Sequence, residues 1–463
     1  KPFSALTERK HLLTDMDNTT PKEGYRVESD LLGPREIPND KLYGVQTLRG
    51  IENFRISNFK LSDYPEFIAG LAITKMAAAI ANRELGVLPA DKEKVILEAC
   101  REILEGKYRD QFPVDMIQGG AGTTTNMNIN EVVTNRALEL MGHKPGEFKY
   151  LSPNDDVNCA QSTNDAYPTS IHVGLWYASR RFLKHYRKLI DSLLAKAEVF
   201  KDIVKIGRTQ LQDAVPMTLG QTFHGFASIL EDEIKHLEEA AEDFLTVNMG
   251  ATAIGTGITA EPGYAEKCVK AMRKLTGFDF RLAPDLVGAT SDASCMVGYA
   301  SALKRVAVKV NKVCNDLRLL SSGPRCGLGE INLPAMQPGS SIMPGKVNPV
   351  IAEVVNQIAF RLIGFDTTVT MAAEAGQLEL NAFEPVIFDS LCQGMAQLTN
   401  GLRTLTDHCV SGIVANVALC REGEHGVVAG CAVAVAAAHV LALLYGGDGG
   451  SVGGGAADAE LLH

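Results

Sequence analysis

The sequence predicts a mainly α-helical protein with a long helix bundle at its centre. Three observations carry that reading. Beyond about Thr169, apolar residues recur at three- and four-residue steps over long stretches. Few turn signals interrupt these stretches. The two-residue alternation of half-buried strands is scarce. At 463 residues the chain is too long for one ordinary core, and two or three domains are expected.

In chain order, KPFSALTERKHLLTDMDNTTPKEG is polar and reads as a frayed or tag-like lead rather than a signal peptide. Residues 25–165 mix short helical patterns with loops rich in Gly, Thr and Asn. The first long helix follows, with Leu175, Phe182, Tyr186, Leu189, Leu193, Ala197 and Phe200 on its apolar positions. A second carries Leu219, Phe223, Phe226, Leu230, Ile234, Leu237 and Phe244. Three more are expected at roughly 285–320, 350–373 and 383–412. Leu175, Trp176, Tyr177, Phe182 and Leu183 do not share one narrow seam, which favours burial against several helices and hence a homo-oligomer. From Glu422 the chain is plain in Gly, Ala, Val and Leu. It is either a small helical domain of odd composition or a stretch whose residues were poorly determined, and no function is placed there.

Apolar residues make up 46% and charged residues 22%, the balance of a soluble globular protein. A net charge of −10 argues against nucleic acid as the main partner, since phosphate binding wants a basic face. The longest apolar run, Cys431 to Tyr445, is too short to span a bilayer, so no membrane partner is expected. The ten cysteines form no CxxC pair and no metal-spaced cluster with His. They read as free thiols in a reducing cytosol, and a cytoplasmic location follows.

In such a helical chain, four polar loops stand out. Gly119–Asn128 (GGAGTTTNMN) lets backbone approach a ligand and offers hydroxyls and amides, or simply caps the next helix. Gln161–Asp165 (QSTND) opens the first long helix, either as an N-cap cluster or as a seat for a carboxylate on the helix dipole. Gly207–Ala214 (GRTQLQDA) is a polar connector or a binding loop. The strongest is Gly339–Pro349 (GSSIMPGKVNP), which sets a hydroxyl, an ammonium and a carboxamide within nine residues. Its glycines suggest mobility, and its prolines keep it out of the following helix.

Together these loops resemble the aspartase/fumarase superfamily over about residues 25–420, and GSSIMPGKVNP is close to diagnostic of it. QGGAGTTTNMN, QSTNDAYPT, GRTQLQDAVPMTLGQ, NMGATAIGTG and TMAAEAGQLELN look like the aspartase branch. Class II fumarases typically have TGSGTQSNMN and SSNDTFPT instead. The resemblance implies three mostly helical domains, at 1–164, 165–417 and 418–463, the central one a long five-helix bundle. Four subunits would join their bundles in a homotetramer, and each active site would draw loops from three of them.

The implied reaction is elimination of ammonia from L-aspartate to give fumarate. Ser340 would be the base, acting as an alkoxide. Lys346 and Asn348 would bind the substrate carboxylates. Thr123, Ser162, Thr163 and Asn164 match positions that hold the carboxylates and the amino group, and Thr209 with Gln210 matches the next contact pair. Gln210 stands where many members have a histidine paired with a glutamate matching Glu353. A glutamine does not titrate, so no proton relay runs through it and Glu353 is left a supporting role. Asp156 replaces a histidine that in fumarases belongs to a secondary anion site, so no such site is expected. No cofactor is required by the chemistry and no metal cage is visible, with Mg²⁺ a candidate activator. The rivals are a class II fumarase acting on malate and a catalytically silent structural relative.

Overall fold

The computed structural model describes residues 22–421. Most of the polar lead and most of the expected 418–463 domain lie outside them. By its internal contacts the chain forms two compact units. One comprises the residues up to Leu189 with Ile229–Cys314 and Glu353–Leu405; the second comprises Ile190–Ser228, Asn315–Ala352 and the residues from Thr406 on.

The fold is mainly helical, as the apolar periodicity predicts. In the first unit a short hairpin, β1 (Tyr25–Asp30) and β2 (Gly33–Pro38), precedes α1 (Val45–Asn53), α2 (Pro65–Glu84), α3 (Ala90–Leu104) and α4 (Thr123–Leu140). α1 has no capping side chain of its own. Instead Glu131 of α4, buried, accepts the N–H groups of Gly44, Gln46 and Thr47 at 2.8–3.1 Å. Those are the orphan donors of a helix start, met here by a tertiary carboxylate. α2 is apolar nearly all round and buried along its length, as such a composition demands.

The long helices are α5 (Thr163–Val199), α6 (Leu219–Glu242), α9 (Ser294–Leu320), α10 (Val350–Glu374) and α11 (Glu384–His408), with the shorter α7 (Tyr264–Thr276) and α8 (Leu286–Ser291) between α6 and α9. Within the first unit they pack against one another through side-chain contacts. Tyr186 of α5 donates to the Leu230 carbonyl of α6 at 2.7 Å, and Arg187 meets Glu238. Glu233 of α6, fully buried, takes Arg305 and Lys309 of α9. Lys304 of α9 pairs with Asp366 of α10 at 2.6 Å. A methyl at Gly401 of α11 would press on Ile358 of α10 at 2.7 Å. α2 crosses α5 at backbone contact: a Cβ at Gly70 would lie 2.3 Å from the Ser170 carbonyl, and one at Gly174 3.2 Å from Phe67. That crossing brings the start of α5 hard against the buried α2.

The expected helix over 285–320 is two. Asp285 caps α8 through Gly288 N–H at 2.7 Å, and the chain turns at Asp292–Ala293 before α9. The helix expected over 383–412 ends at His408 in a 3-10 turn, Val410–Gly412. In the second unit, the polar connector 207–214 is a β-hairpin, β3 (Val204–Thr209) with β4 (Gln212–Thr218). Short pairings join β5 (Thr246–Val247) to β6 (Arg281–Leu282), and β7 (Ile331–Asn332) to β8 (Val414–Ala415).

Candidate active site

In the second unit the Gly339–Pro349 segment forms an internally bonded loop. Gly339 N–H donates to the Lys346 carbonyl at 2.7 Å, and Asn348 Nδ2 donates to the Gly339 carbonyl at 3.0 Å, so the two ends are tied together. Within the loop, Ser340 Oγ accepts the backbone N–H groups of Ile342 at 3.2 Å and Met343 at 3.0 Å. Two donors on one hydroxyl oxygen favour its anionic form, because successive amides of a turn present partial positive charge. Gly345 holds φ +78°, the left-handed turn that glycine adopts without a steric cost. Ile342 is 84% exposed and Lys346 is exposed, so the loop offers its polar groups outward.

Thr209 and Gln210 sit at the tip of the β3–β4 hairpin of the same unit, both exposed. Gln210 and Leu211 have φ of 53° and 63°, the two left-handed residues of a two-residue hairpin turn. The hairpin base is held by ion pairs of Glu330 with Lys205 at 2.9 Å and with Arg208. Arg208 also meets Asp213 at 3.2 Å.

The first unit brings the other candidates together. Gly122, at φ +86°, turns the glycine-rich loop into α4, and a Cβ there would sit 2.5 Å from the Tyr167 ring. Thr123, exposed, donates its hydroxyl to the Gly120 carbonyl at 2.8 Å. One helical step on, Asn126 donates to Thr163 Oγ1 at 3.3 Å and to Asn158 at 3.1 Å. Ser162 N–H donates to Asp165 Oδ1 at 2.9 Å, and Asn164 N–H to Ser162 Oγ at 3.2 Å, an N-terminal capping arrangement. Asn164 Nδ2 donates to the Ala253 carbonyl at 2.7 Å, which fixes the orientation of its side-chain amide. Pro168 has no N–H for the Asn164 carbonyl four residues back; Asn248 Nδ2 fills the vacancy at 3.0 Å.

A lyase family profile matches residues 33–364. An aspartate ammonia-lyase of Pseudomonas aeruginosa is 54% identical over 410 residues, covering 88% of this chain and 86% of that protein. An aspartate ammonia-lyase of Escherichia coli is 55% identical over 396 residues, 85% and 83% of the two chains. This chain belongs to the aspartate ammonia-lyase family. Solved relatives share the fold of that family. A Brucella melitensis protein described as a fumarate lyase:delta crystallin, solved bound to cobalt, is 50% identical with a TM-score of 0.85 over 86% of this chain and 87% of its own. A class II fumarase of Schistosoma mansoni is 34% identical with a TM-score of 0.82 over 86% and 87%.

In this aspartate ammonia-lyase family member, buried polar residues support the first-unit loops from beneath. Lys75 of α2 is wholly buried and donates to Asn126 Oδ1 at 2.8 Å, Gln161 Oε1 at 2.8 Å and Asn158 Oδ1 at 3.1 Å. Three oxygens match its three donors. Burial pulls its pKa down to about 7, with the nearby Asp165 opposing. Asp165, also wholly buried, accepts the N–H groups of Gly250 and Thr252 at 3.0 Å each through Oδ2. Burial raises its carboxyl to about 6, against those hydrogen bonds and Lys75. Lys75, Asn158 and Asn248 were not among the sequence candidates. A lone lysine inside FIAGLAITKMAAAIAN is the signal from which the first was legible, had its acceptors been known. Glu353 lies half-buried in the first turn of α10, where a carboxylate suits the helix dipole. Among the described residues no group of three His, Cys, Asp or Glu side chains is placed to hold a metal ion, and no helix is long and apolar enough to cross a membrane.

Proposed function

We propose that the chain eliminates ammonia from L-aspartate to give fumarate, with Ser340 as the base. The observation that carries this reading is the pair of backbone N–H groups on Ser340 Oγ. The reaction must remove a weakly acidic Cβ proton, and a neutral hydroxyl is too weak a base. Donors aimed at Oγ lower the cost of the alkoxide. The carbanion is tolerable because its charge moves into the adjacent carboxylate as an aci-carboxylate, which needs preorganised donors. Lys346 and the N–H groups of the same loop serve there, with Asn348 closing the loop. Thr123, Ser162 and Thr163 take the second carboxylate with hydroxyls. The Asn164 carbonyl takes the amino group, which leaves from the face opposite the base. Thr209 and Gln210 complete the contacts, and Glu353 supports. No cofactor enters these steps, and Mg²⁺ would act as an activator.

Aspartate is favoured over malate by the family of the relatives and by Gln210, which offers no titrating relay. The assembly proposed is a homotetramer in the cytoplasm, its sites shared among three subunits. α10 supports it by presenting Phe360, Ile363 and Met371 along one exposed stripe, Phe360 at 60% exposure. Fumarate absorbance with L-aspartate or L-malate as substrate tests the reaction. Turnover of aspartate and not malate is expected; the reverse overturns the reading. Ser340→Ala should lower kcat by roughly 10²–10⁴-fold with little change in KM. Unchanged kcat removes Ser340 as the base.

A further inference from the structure

Apart from the loops above, the first unit holds a cavity of 440 Å³ between α5, the β5–β6 pairing and the start of α11. Its floor carries Glu384, 5% exposed, which has no hydrogen-bond partner among the described residues. A buried carboxyl left unpaired is costly and calls for an explanation. Burial alone pushes its pKa up to about 8. Around the mouth stand three more carboxylates, Asp243, Asp285 and Asp292, all exposed. No lysine or arginine is among the lining residues. His172 on the wall adds no charge: its Nδ1 meets the Thr246 carbonyl at 2.7 Å, and burial lowers its pKa from the usual value. The lining therefore carries acidic groups and no cationic side chain, has room for a small ammonium group together with water, and includes a buried carboxyl without a hydrogen-bond partner among the described residues. Among the described residues its carboxylates are not grouped closely enough to hold a metal ion.

We propose that this cavity binds the ammonium ion or another small primary ammonium group, with Glu384 as its acceptor. An ammonium ion brings both the charge and the hydrogen-bond donors that Glu384 lacks. The cavity is one residue from the candidate amino-group contact. Asn248 lines it and also donates to the backbone carbonyl of Asn164, the residue whose side chain is the candidate amino-group contact. The inference rests on the ammonia-eliminating reading for its purpose, holding the leaving product beside the site, but its test needs no turnover.

Thermal unfolding of the full chain is followed without substrate in ammonium chloride, methylammonium chloride and sodium chloride at equal ionic strength. Ammonium should raise the midpoint above that in sodium, and Glu384→Gln, which keeps the side chain's shape, should abolish the difference. Should that variant not fold, Asp243→Asn at the mouth should weaken apparent ammonium affinity about threefold. Equal midpoints in sodium and ammonium, or an unchanged difference in the folded variant, overturn the proposal. In turnover, ammonium inhibition should weaken about tenfold in Glu384→Gln with the substrate KM unchanged. A chain that stabilises with ammonium yet ignores aspartate would refute the reaction and keep the cavity's ligand.

Discussion

Lys75 and Asp165 show how much of a site is set by residues with no surface signature. Each is wholly buried, and each is tied by hydrogen bonds to a loop that the motifs single out. The polar loops themselves were legible because polar, backbone-exposing runs are rare in a helical chain. Their foundations were not, since a buried lysine reads as an interruption of an apolar face until its acceptors are known. Lys75 also makes a pH prediction. Burial holds its pKa at about 7, below the ordinary 10.5, so between those values the unfolded chain binds more protons than the folded one. Stability then rises with pH across that window and falls as pH drops toward 7. Lys75→Met should remove that rise, read as a flatter melting midpoint between pH 7 and 10. An unchanged slope would mean the lysine keeps its full charge inside the fold.

The helices follow from the sequence because period-3.6 burial is a local property. α5 and α6 begin near the expected positions, and α10 ends within a residue of its own. The break between α8 and α9 was hidden, because Asp292 and Ala293 are compatible with a helix and their turn answers to packing. The β3–β4 hairpin was hidden too. Its turn residues, Gln210 and Leu211, lack the Asn-Gly chemistry that marks such turns. The loop into α4 makes the element-scale prediction. Gly122→Ala meets both a left-handed φ and the Tyr167 ring, and should cost about 3 kcal/mol. A melting midpoint within a degree or so of wild type would show that the loop has another way into the helix.

For the molecule as a whole, the many-faced helices implied partners beyond one chain, and the stripe on α10 gives that expectation a location. Phe360→Asp places a charge on that stripe without touching the candidate catalytic loops. Light scattering should show a species smaller than the proposed homotetramer, and activity should fall with it, because the sites proposed to be shared among subunits would be incomplete in isolation. A tetramer that survives the substitution would move the interface to other helices.

The sequence by itself determined the helical class, the approximate positions of most long helices and the residue types that the Ser340 loop brings together. Each depends on neighbours in the chain or on an unbroken run of residue types. Only the tertiary structure decided that Glu131 caps α1, that Asn248 takes the carbonyl left by Pro168, and that Glu384 ends a cavity without a partner. The hydrogen bonds of Glu131 and Asn248 join residues 84 to 87 positions apart, and no local pattern encodes which buried polar group will meet which.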